Sequence, residues 1–368
     1  MSMIQISKRQ KGTSKLVDVL IRIGAIVLSL IFIGIVLAIM GYDPFKVFGK
    51  IIQTPFKRFK DVMNKTIMLT TLSLGIAIAF RMKFWNIGAE GQFYMGAFGA
   101  ASMAFMCPDL PPILLLPLMC VAGFVCGGIW ALIPAVIKAR FGASETLVTL
   151  MMNYIAIAFI SYLQYGPWKD PAALGAAKVP NFSENAVLPD VFGIHAGWII
   201  MLVLVIIMTI LLRYTKLGYQ IDVIGESETT AKYAGMNTVK ILVIAVLISG
   251  GLCGMAGFMQ SSAVEKSITD SMSAGLGFTA AITAWLAKLK PPVIVVASFM
   301  FSILLQSGSS LQVMKIPSSI TEIMQGVIIF FVLACEFFIN YKISLRKHTA
   351  VKAVSYTHLR AHETPEHL

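Results

Sequence analysis

From position 84 the chain reads Phe-Trp-Asn-Ile-Gly-Ala-Glu-Gly-Gln, which sets one carboxylate and two carboxamides among glycines. Asn86, Glu90 and Gln92 can hydrogen-bond backbone groups that a helix break exposes. Gly88 and Gly91 permit unusual backbone angles and close helix approach. Long apolar runs flank the segment on both sides. An ionisable residue at membrane depth is costly, so it usually faces a protein interior or an aqueous pathway. Two readings stay open: an element of a pathway or gate, or a polar contact that joins helices across a small-residue interface. Glu90 falls near a predicted helix start, where the helix dipole offsets part of the cost of its charge.

A second group is Ser144, Glu145, Thr149 and Asn153. Ser144 can cap a helix. The next three are spaced by four, so they line one helix face that should turn toward other helices. Glu145 alone is an ordinary acidic first-turn residue, whereas Asn153 is open to a channel-facing role. The third group is the hydrophilic loop from Leu217 to Asn237. Residues 226 to 234 can form a short helix with Glu226 and Glu228 early and Gly235 as its stop. Thr229, Thr230 and Ala231 give that helix a smooth face, suited to docking in a partner's groove or to plain connection.

The elements that position these groups must be membrane helices. The 368 residues are 57% hydrophobic and 13% charged, with mean hydropathy +0.80. Soluble domains of this length carry far more charge, and the apolar runs suffice to cross about 30 Å of hydrocarbon. The expected fold is an all-α polytopic membrane protein with about ten transmembrane helices and both termini cytoplasmic. Residues 1–16 form a cytoplasmic N-terminal segment, 17–341 the transmembrane domain with its main cytoplasmic loop at 213–240, and 342–353 a basic tail. Residues 354–368 break in composition and resemble a translated adapter sequence; they are set aside as non-native. The second span, about 66–80, and the eighth, about 273–287, read as short and glycine-interrupted. Broken segments at corresponding places in two halves mark the pathway in many transporters.

The net charge of +12 suits a cytoplasmic excess of Lys and Arg, and no basic stripe with interleaved aromatics points to nucleic acid. Six basic residues between Lys46 and Lys65 fall on the predicted outer side, against that rule; the segment reads as an interfacial helix on anionic lipid. The five cysteines form no CxxC pair, and no phosphate-binding GxxxxGK[ST] loop is present. No nucleophile, acid–base or metal constellation stands out, so no catalytic or metal residues are assigned and no cofactor is expected on this chain.

The stretches NIGAEGQ (86–92), KARFGASETLVTLMMNYIA (138–156), TKLGYQIDVIGESETTAKYAGMNTVK (215–240), ISGGLCGMAGFMQ (248–260) and GLGFTAAITAWLAKLKP (275–291) together resemble permease subunits of ATP-binding cassette (ABC) importers. The branch is the one for simple sugars, nucleosides and branched-chain amino acids. The chain is most similar to permeases paired with basic-membrane-protein-type nucleoside-binding lipoproteins.

The resemblance implies a prokaryotic cell-membrane importer of a small polar solute, a nucleoside or a simple sugar. It implies a second, paralogous permease subunit and an extracytoplasmic substrate-binding lipoprotein. It also implies a separate ABC ATPase subunit that carries the ATP and Mg. Residues 217–237 match the family's coupling loop, which assigns Glu226, Glu228, Thr230, Ala231 and Gly235 to coupling; Asn86, Glu90, Gln92, Asn153 and Phe278 are assigned to the substrate pathway. The chain departs from the family pattern at Trp85 and at Thr279-Ala280-Ala281, where an acidic residue and glycine are common. Two other classes stay in view. A proton-coupled secondary transporter would use Glu90 or Glu145 as proton carrier, and a membrane scaffold or receptor would show no flux.

Overall fold

The computed structural model describes residues 3–8, 15–173, 177–312 and 315–346. The elements in chain order are β1 (Met3–Lys8), α1 (Lys15–Ile39), α2 (Pro44–Lys57), α3 (Phe59–Arg81), α4 (Ala89–Met106), α5 (Pro112–Phe141) and α6 (Glu145–Tyr165). They continue with β2 (Asp190–Val191), β3 (Ile194–His195), α7 (Gly197–Tyr214), α8 (Lys216–Glu226), α9 (Glu228–Tyr233) and α10 (Thr238–Met259). A π-helical extension of α10 at Gln260–Glu265, then α11 (Leu276–Leu286), α12 (Pro291–Gln312), α13 (Ser318–Asn340) and β4 (Tyr341–Arg346) complete the order. The set-aside residues 354–368 lie outside the described residues.

Two compact units result: residues 1–29 with 330–368, and residues 30–329. In the first, β1 pairs antiparallel with β4, Met3 opposite Arg346 and Lys8 opposite Tyr341. The second holds the helical core, and the remainder of this description concerns it.

Among the described residues six helices are long and apolar enough to cross a membrane: α3, α5, α6, α7, α10 with its extension, and α12. The segments 23–39 and α11 are apolar but shorter. The predicted second span was to start near Thr66; instead α3 starts at Phe59 and runs 23 residues, about 34 Å at ~1.5 Å per residue. Several of its polar residues are paired in ways that let the helix continue. Thr66 and Thr71 hydroxyls donate to the carbonyls of Val62 and Ile67, each at 2.8 Å, and Arg58 pairs with Asp61 at 2.7 Å. Almost all of α3 past Lys65 is buried. It is the central helix, with α7, α10, α11 and α12 packed around it.

The α4, α5 and α10 trio packs through glycine. Gly254 of α10 lies so close to α5 that a methyl group there would run into the Gly123 carbonyl and the Gly127 Cα. Without a hydrophobic drive between helices in lipid, such close backbone approach is what holds the contact. Helix ends follow local chemistry. The Asp43 carboxylate accepts from the Phe45 and Lys46 N–H groups to start α2. Pro112 opens α5, and Gly142 ends it in the left-handed region, φ +64°.

The two ends of α3 orient the bundle. At its C-terminal end Arg81 pairs with Asp222 of α8 at 3.2 Å. At its N-terminal end Lys60 pairs with Asp190 of β2 at 2.6 Å. The 213–240 segment and the loop before α7 therefore lie at opposite ends of the helices. The hairpin β2–β3 belongs to that second end, as does α2.

Candidate functional site

The segment after α3 is unwound from Lys83 to Ile87, and α4 starts at Ala89 with Glu90 in its first turn. Asn86, Glu90, Gln92 and Asn153 are all buried there. The Asn86 Nδ2 donates to Gln92 Oε1 at 3.0 Å, and Gln92 Nε2 donates back to Asn86 Oδ1 at 2.8 Å. The same Asn86 oxygen accepts from the Gly88 N–H at 3.1 Å, and its amide also reaches Ser249 of α10. Asn153 of α6 closes the other side. Its oxygen accepts from the Gly91 N–H at 2.8 Å, and its amide donates to the Ile87 carbonyl at 2.9 Å. The Asn86 and Asn153 carboxamides thus take up backbone groups that the break in the helix leaves open, and Gln92 pairs with Asn86, as buried polar groups must be paired.

Glu90 turns the other way. Its Oε2 accepts from the Gly277 N–H at 2.7 Å and its Oε1 from the Gly275 N–H at 3.3 Å. These are the first free donors of α11, so the carboxylate sits at the positive end of that helix. Gly277 allows this, since a methyl group there would press on the Glu90 backbone. Four residues further along α4, the Tyr94 hydroxyl donates to the Asp270 carbonyl at 2.6 Å and accepts from the Ser273 N–H. Ser161 of α6 donates to the Asp270 carboxylate at 3.0 Å. The two broken segments read from the sequence therefore meet: the 86–92 element is tied directly to the loop and first turn that lead into α11.

The predicted stripe on α6 faces inward, with Thr149 and Asn153 buried. Ser144 departs from expectation: it holds the N-cap position in extended backbone, but its hydroxyl makes no capping bond. Glu145 instead pairs with Lys138 across the α5–α6 turn at 2.7 Å. Phe278 stands apart from the polar cluster. It is 40% exposed, on the outer face of α11 that also carries Trp285.

At the same C-terminal end of α3, the 217–237 loop is two helices rather than one. Glu226 ends α8, Ser227 is extended, and Glu228 begins α9. The reason is a cap the sequence reading overlooked: Ser227 Oγ accepts from the Thr230 N–H at 3.2 Å. Gly235 follows α9 at φ +75°, with Met236 N–H bonded to the Ala231 carbonyl at 3.0 Å, so the predicted stop is where it was placed. Ala231 is buried, while Glu226, Glu228, Thr230 and Gly235 are exposed. Gly225 of α8 packs on the Arg81 carbonyl, leaving no room for a side chain. The short helix α9 packs on α8 and α10, and α8 in turn is seated on the end of α3, so α9 keeps one face open.

Residues 59–333 match the family described as branched-chain amino acid transport system / permease component. The chain belongs to this family. It is 27% identical to a glucose ABC transporter permease protein of Haloferax volcanii over 85% of this chain and 86% of that one. It is 27% identical to a nucleoside ABC transporter permease protein of Lactococcus lactis over 92% and 96%. It is 28% identical to a guanosine ABC transporter permease protein of Bacillus subtilis over 86% and 94%. The chain is a permease subunit of an ABC importer, a multi-pass cell-membrane protein that transports rather than catalyses.

Within this permease, three sets of contacts lay beyond the sequence reading. Ser249, which completes the Asn86 pair, sits in an apolar helix with nothing beside it to mark its partner. Gly275 and Gly277 were noted as a helix interruption, but their role as donors to Glu90 spans 185 and 187 positions. Trp85 and Trp285 stack with ring centroids 5.6 Å apart, and Phe80 lies 5.4 Å from Trp85. The aromatic content of both segments was the available signal, without a spacing rule to join them.

Proposed function

We propose that this permease carries a small polar solute, a nucleoside in preference to a simple sugar, by alternating access driven by ATP hydrolysis on a separate subunit. The observation that carries the reading is α9: a capped, surface-exposed short helix packed on α8, which is itself seated on the end of the central helix α3. In the proposed arrangement about ten segments cross the membrane, both termini are cytoplasmic, and α9 lies at the cytoplasmic face. The β1–β4 pairing supports termini on one side. Glu226, Glu228, Thr230, Ala231 and Gly235 then form the contact with an ABC ATPase subunit that holds the ATP and Mg; this chain binds neither. A second permease, a paralogue, completes the path, and an extracytoplasmic lipoprotein delivers the solute. The nucleoside preference rests on the relatives in Lactococcus and Bacillus.

The pathway role of Asn86, Glu90, Gln92 and Asn153 follows from what they join. α9 sits on α8, α8 on the end of α3, and the 86–92 element continues α3 into α4. A push on α9 therefore reaches the Glu90 contact with α11. Any shift between outward and inward states needs contacts that differ between them. The Glu90 bonds to Gly275 and Gly277 are contacts of one such state, and Phe278, one residue on, moves with α11.

The test is uptake in proteoliposomes holding this permease with its partner permease, ATPase and binding protein. Labelled guanosine should accumulate only with ATP and should be unaffected by a protonophore at constant ATP. Uptake that collapses with the protonophore, or that proceeds without the ATPase, would overturn the coupling scheme. Accumulation of glucose but not guanosine would overturn the nucleoside preference alone.

A further inference from the structure

The helix α2 lies before the matched family region and takes no part in the polar cluster or the α9 contact. It has three distinct faces. Val47 and Thr54 are buried, and Val47 packs with Ile33, Leu37, Leu311, Ile316 and Ile320. At ~100° per residue, Phe45, Ile52 and Phe56 fall within about 40° of one another on a second face. That face is open: these side chains are 87%, 67% and 84% exposed. Lys46, Lys50, Gln53 and Lys57 share a third face, within about 60°.

Large apolar side chains this exposed, beside a row of cations, describe a helix that lies in a membrane interface. The position agrees, since α2 runs directly into the start of α3, at the end of the spanning helices opposite α9. A cavity of about 180 Å³ opens beside the cationic row, lined by Lys50, Gln53, Thr54, Lys57, Arg58 and Ser310 of α12. That is on the order of six water volumes at ~30 Å³ each, room for one phosphate group.

The charges around the cavity are unbalanced. Arg58 is engaged by Asp61 and also donates to Ser309, Lys60 is held by Asp190, and Lys46 lies 3.7 Å from Asp43. Lys50 and Lys57 have no carboxylate partner among the described residues. Two uncompensated ammonium groups, with the Gln53 amide and the Ser310 hydroxyl at one concave spot, suit an anion. The apolar face alongside suits acyl chains.

We infer that α2 and the cavity at Lys50, Lys57 and Ser310 bind the phosphate headgroup of an anionic phospholipid. Phe45, Ile52 and Phe56 lie among its acyl chains in the leaflet opposite the α9 face. A lipid rather than free phosphate is the occupant because the cations alone are a solvent-exposed site, whereas the adjoining apolar face needs hydrocarbon. The inference does not depend on the transported solute or on the coupling scheme.

The full chain in mild detergent, equilibrated with phosphatidylglycerol or phosphatidylcholine, tests this by native mass spectrometry. Wild type should retain phosphatidylglycerol several-fold better than phosphatidylcholine, and retention should fall as salt rises. The double variant Lys50→Gln, Lys57→Gln should lose about one bound phosphatidylglycerol with unchanged phosphatidylcholine. Phe56→Ser should lower retention of both. Inorganic phosphate at millimolar concentration should not displace the lipid. Equal retention of the two lipids, or no change in the double variant, would overturn the site. Displacement by inorganic phosphate would overturn the lipid as its occupant. The substituted lysines lie in no ion pair among the described residues, so the variant is expected to fold, and its elution as one species beside wild type checks that.

Discussion

Replacing Glu90 by Gln tests the core of the site, because the two side chains have nearly the same shape. The carboxylate accepts from two backbone N–H groups at the start of α11, at 2.7 and 3.3 Å. A carboxamide offers one oxygen and one NH2 group, so one of these N–H groups must face another donor. Hydrogen bonds to a charged group contribute about 1.5–3 kcal/mol each. Loss of negative charge at a helix start removes about 0.3–1 kcal/mol more. Relief from burying a charge offsets part of this, so we expect a net loss of about 2–3 kcal/mol. At about 1.6 °C per kcal/mol for a unit of roughly three hundred residues, from ~2.1 cal/mol/K per residue, E90Q should melt roughly 3–5 °C below wild type. Intrinsic tryptophan fluorescence of the purified chain reads this, since the sequence has five tryptophans. Hydrogen exchange should localise the effect, with the Gly275 and Gly277 amides exchanging faster while α5 is unchanged. If E90Q melts within about 1 °C of wild type and those amides keep their protection, the carboxylate does not hold α11 and the Glu90–α11 contact is not the state-dependent one.

Gly235→Pro should leave membrane insertion intact but abolish stimulation of the ATPase by loaded binding protein. Proline cannot adopt φ +75°, and the loss of the Gly235 N–H bond to Lys232 frees the end of α9; retained stimulation would remove α9 from the coupling scheme. Gly254→Ala places a methyl group against the Gly123 carbonyl, and overpacking of this kind costs about 1–3 kcal/mol, so a lower melting temperature and reduced yield of monodisperse protein are expected, and unchanged values would refute the close packing of α5 and α10. His195 supplies a pH test. It is buried, and burial pushes its pKa down to about 4, while its Nδ1 accepts from the Gly197 N–H. The unfolded chain, with a pKa near the ordinary 6.5, takes up the proton first. Stability from this residue is therefore full above pH 6.5 and falls as the pH drops toward 4, by up to ~3 kcal/mol. Melting curves between pH 7 and 4 should show that slope in wild type and lose it in His195→Gln; identical slopes would refute the assignment.

What could be read from the sequence follows the range of the interactions. Asn86 and Gln92 are six apart, and Thr149 and Asn153 share one helical face, so their burial was legible from spacing alone. The stop at Gly235 was legible because a left-handed residue after a helix is a local requirement. The break at Ser227 was equally local and was missed, because Glu226 and Glu228 both read as first-turn acids and only one of them can follow the cap. The start of α3 was placed too late for a related reason. Lys60, Asp61 and Lys65 look like a membrane boundary, yet pairing of Asp61 with Arg58 and of Lys60 with Asp190 lets the helix run through them. The partners of Glu90 were beyond reach in principle: an unpaired carboxylate in an apolar run announces that it needs donors, and nothing in its neighbourhood says which helix supplies them. That gap has a consequence for the mechanism. A contact that local sequence does not fix can be remade when α4 and α11 shift, whereas the carboxamide pair at Asn86 and Gln92 is internal to one element and travels with it. The moving part of the site should therefore be the Glu90–α11 contact, and the rigid part the Asn86–Gln92–Asn153 frame that carries Glu90.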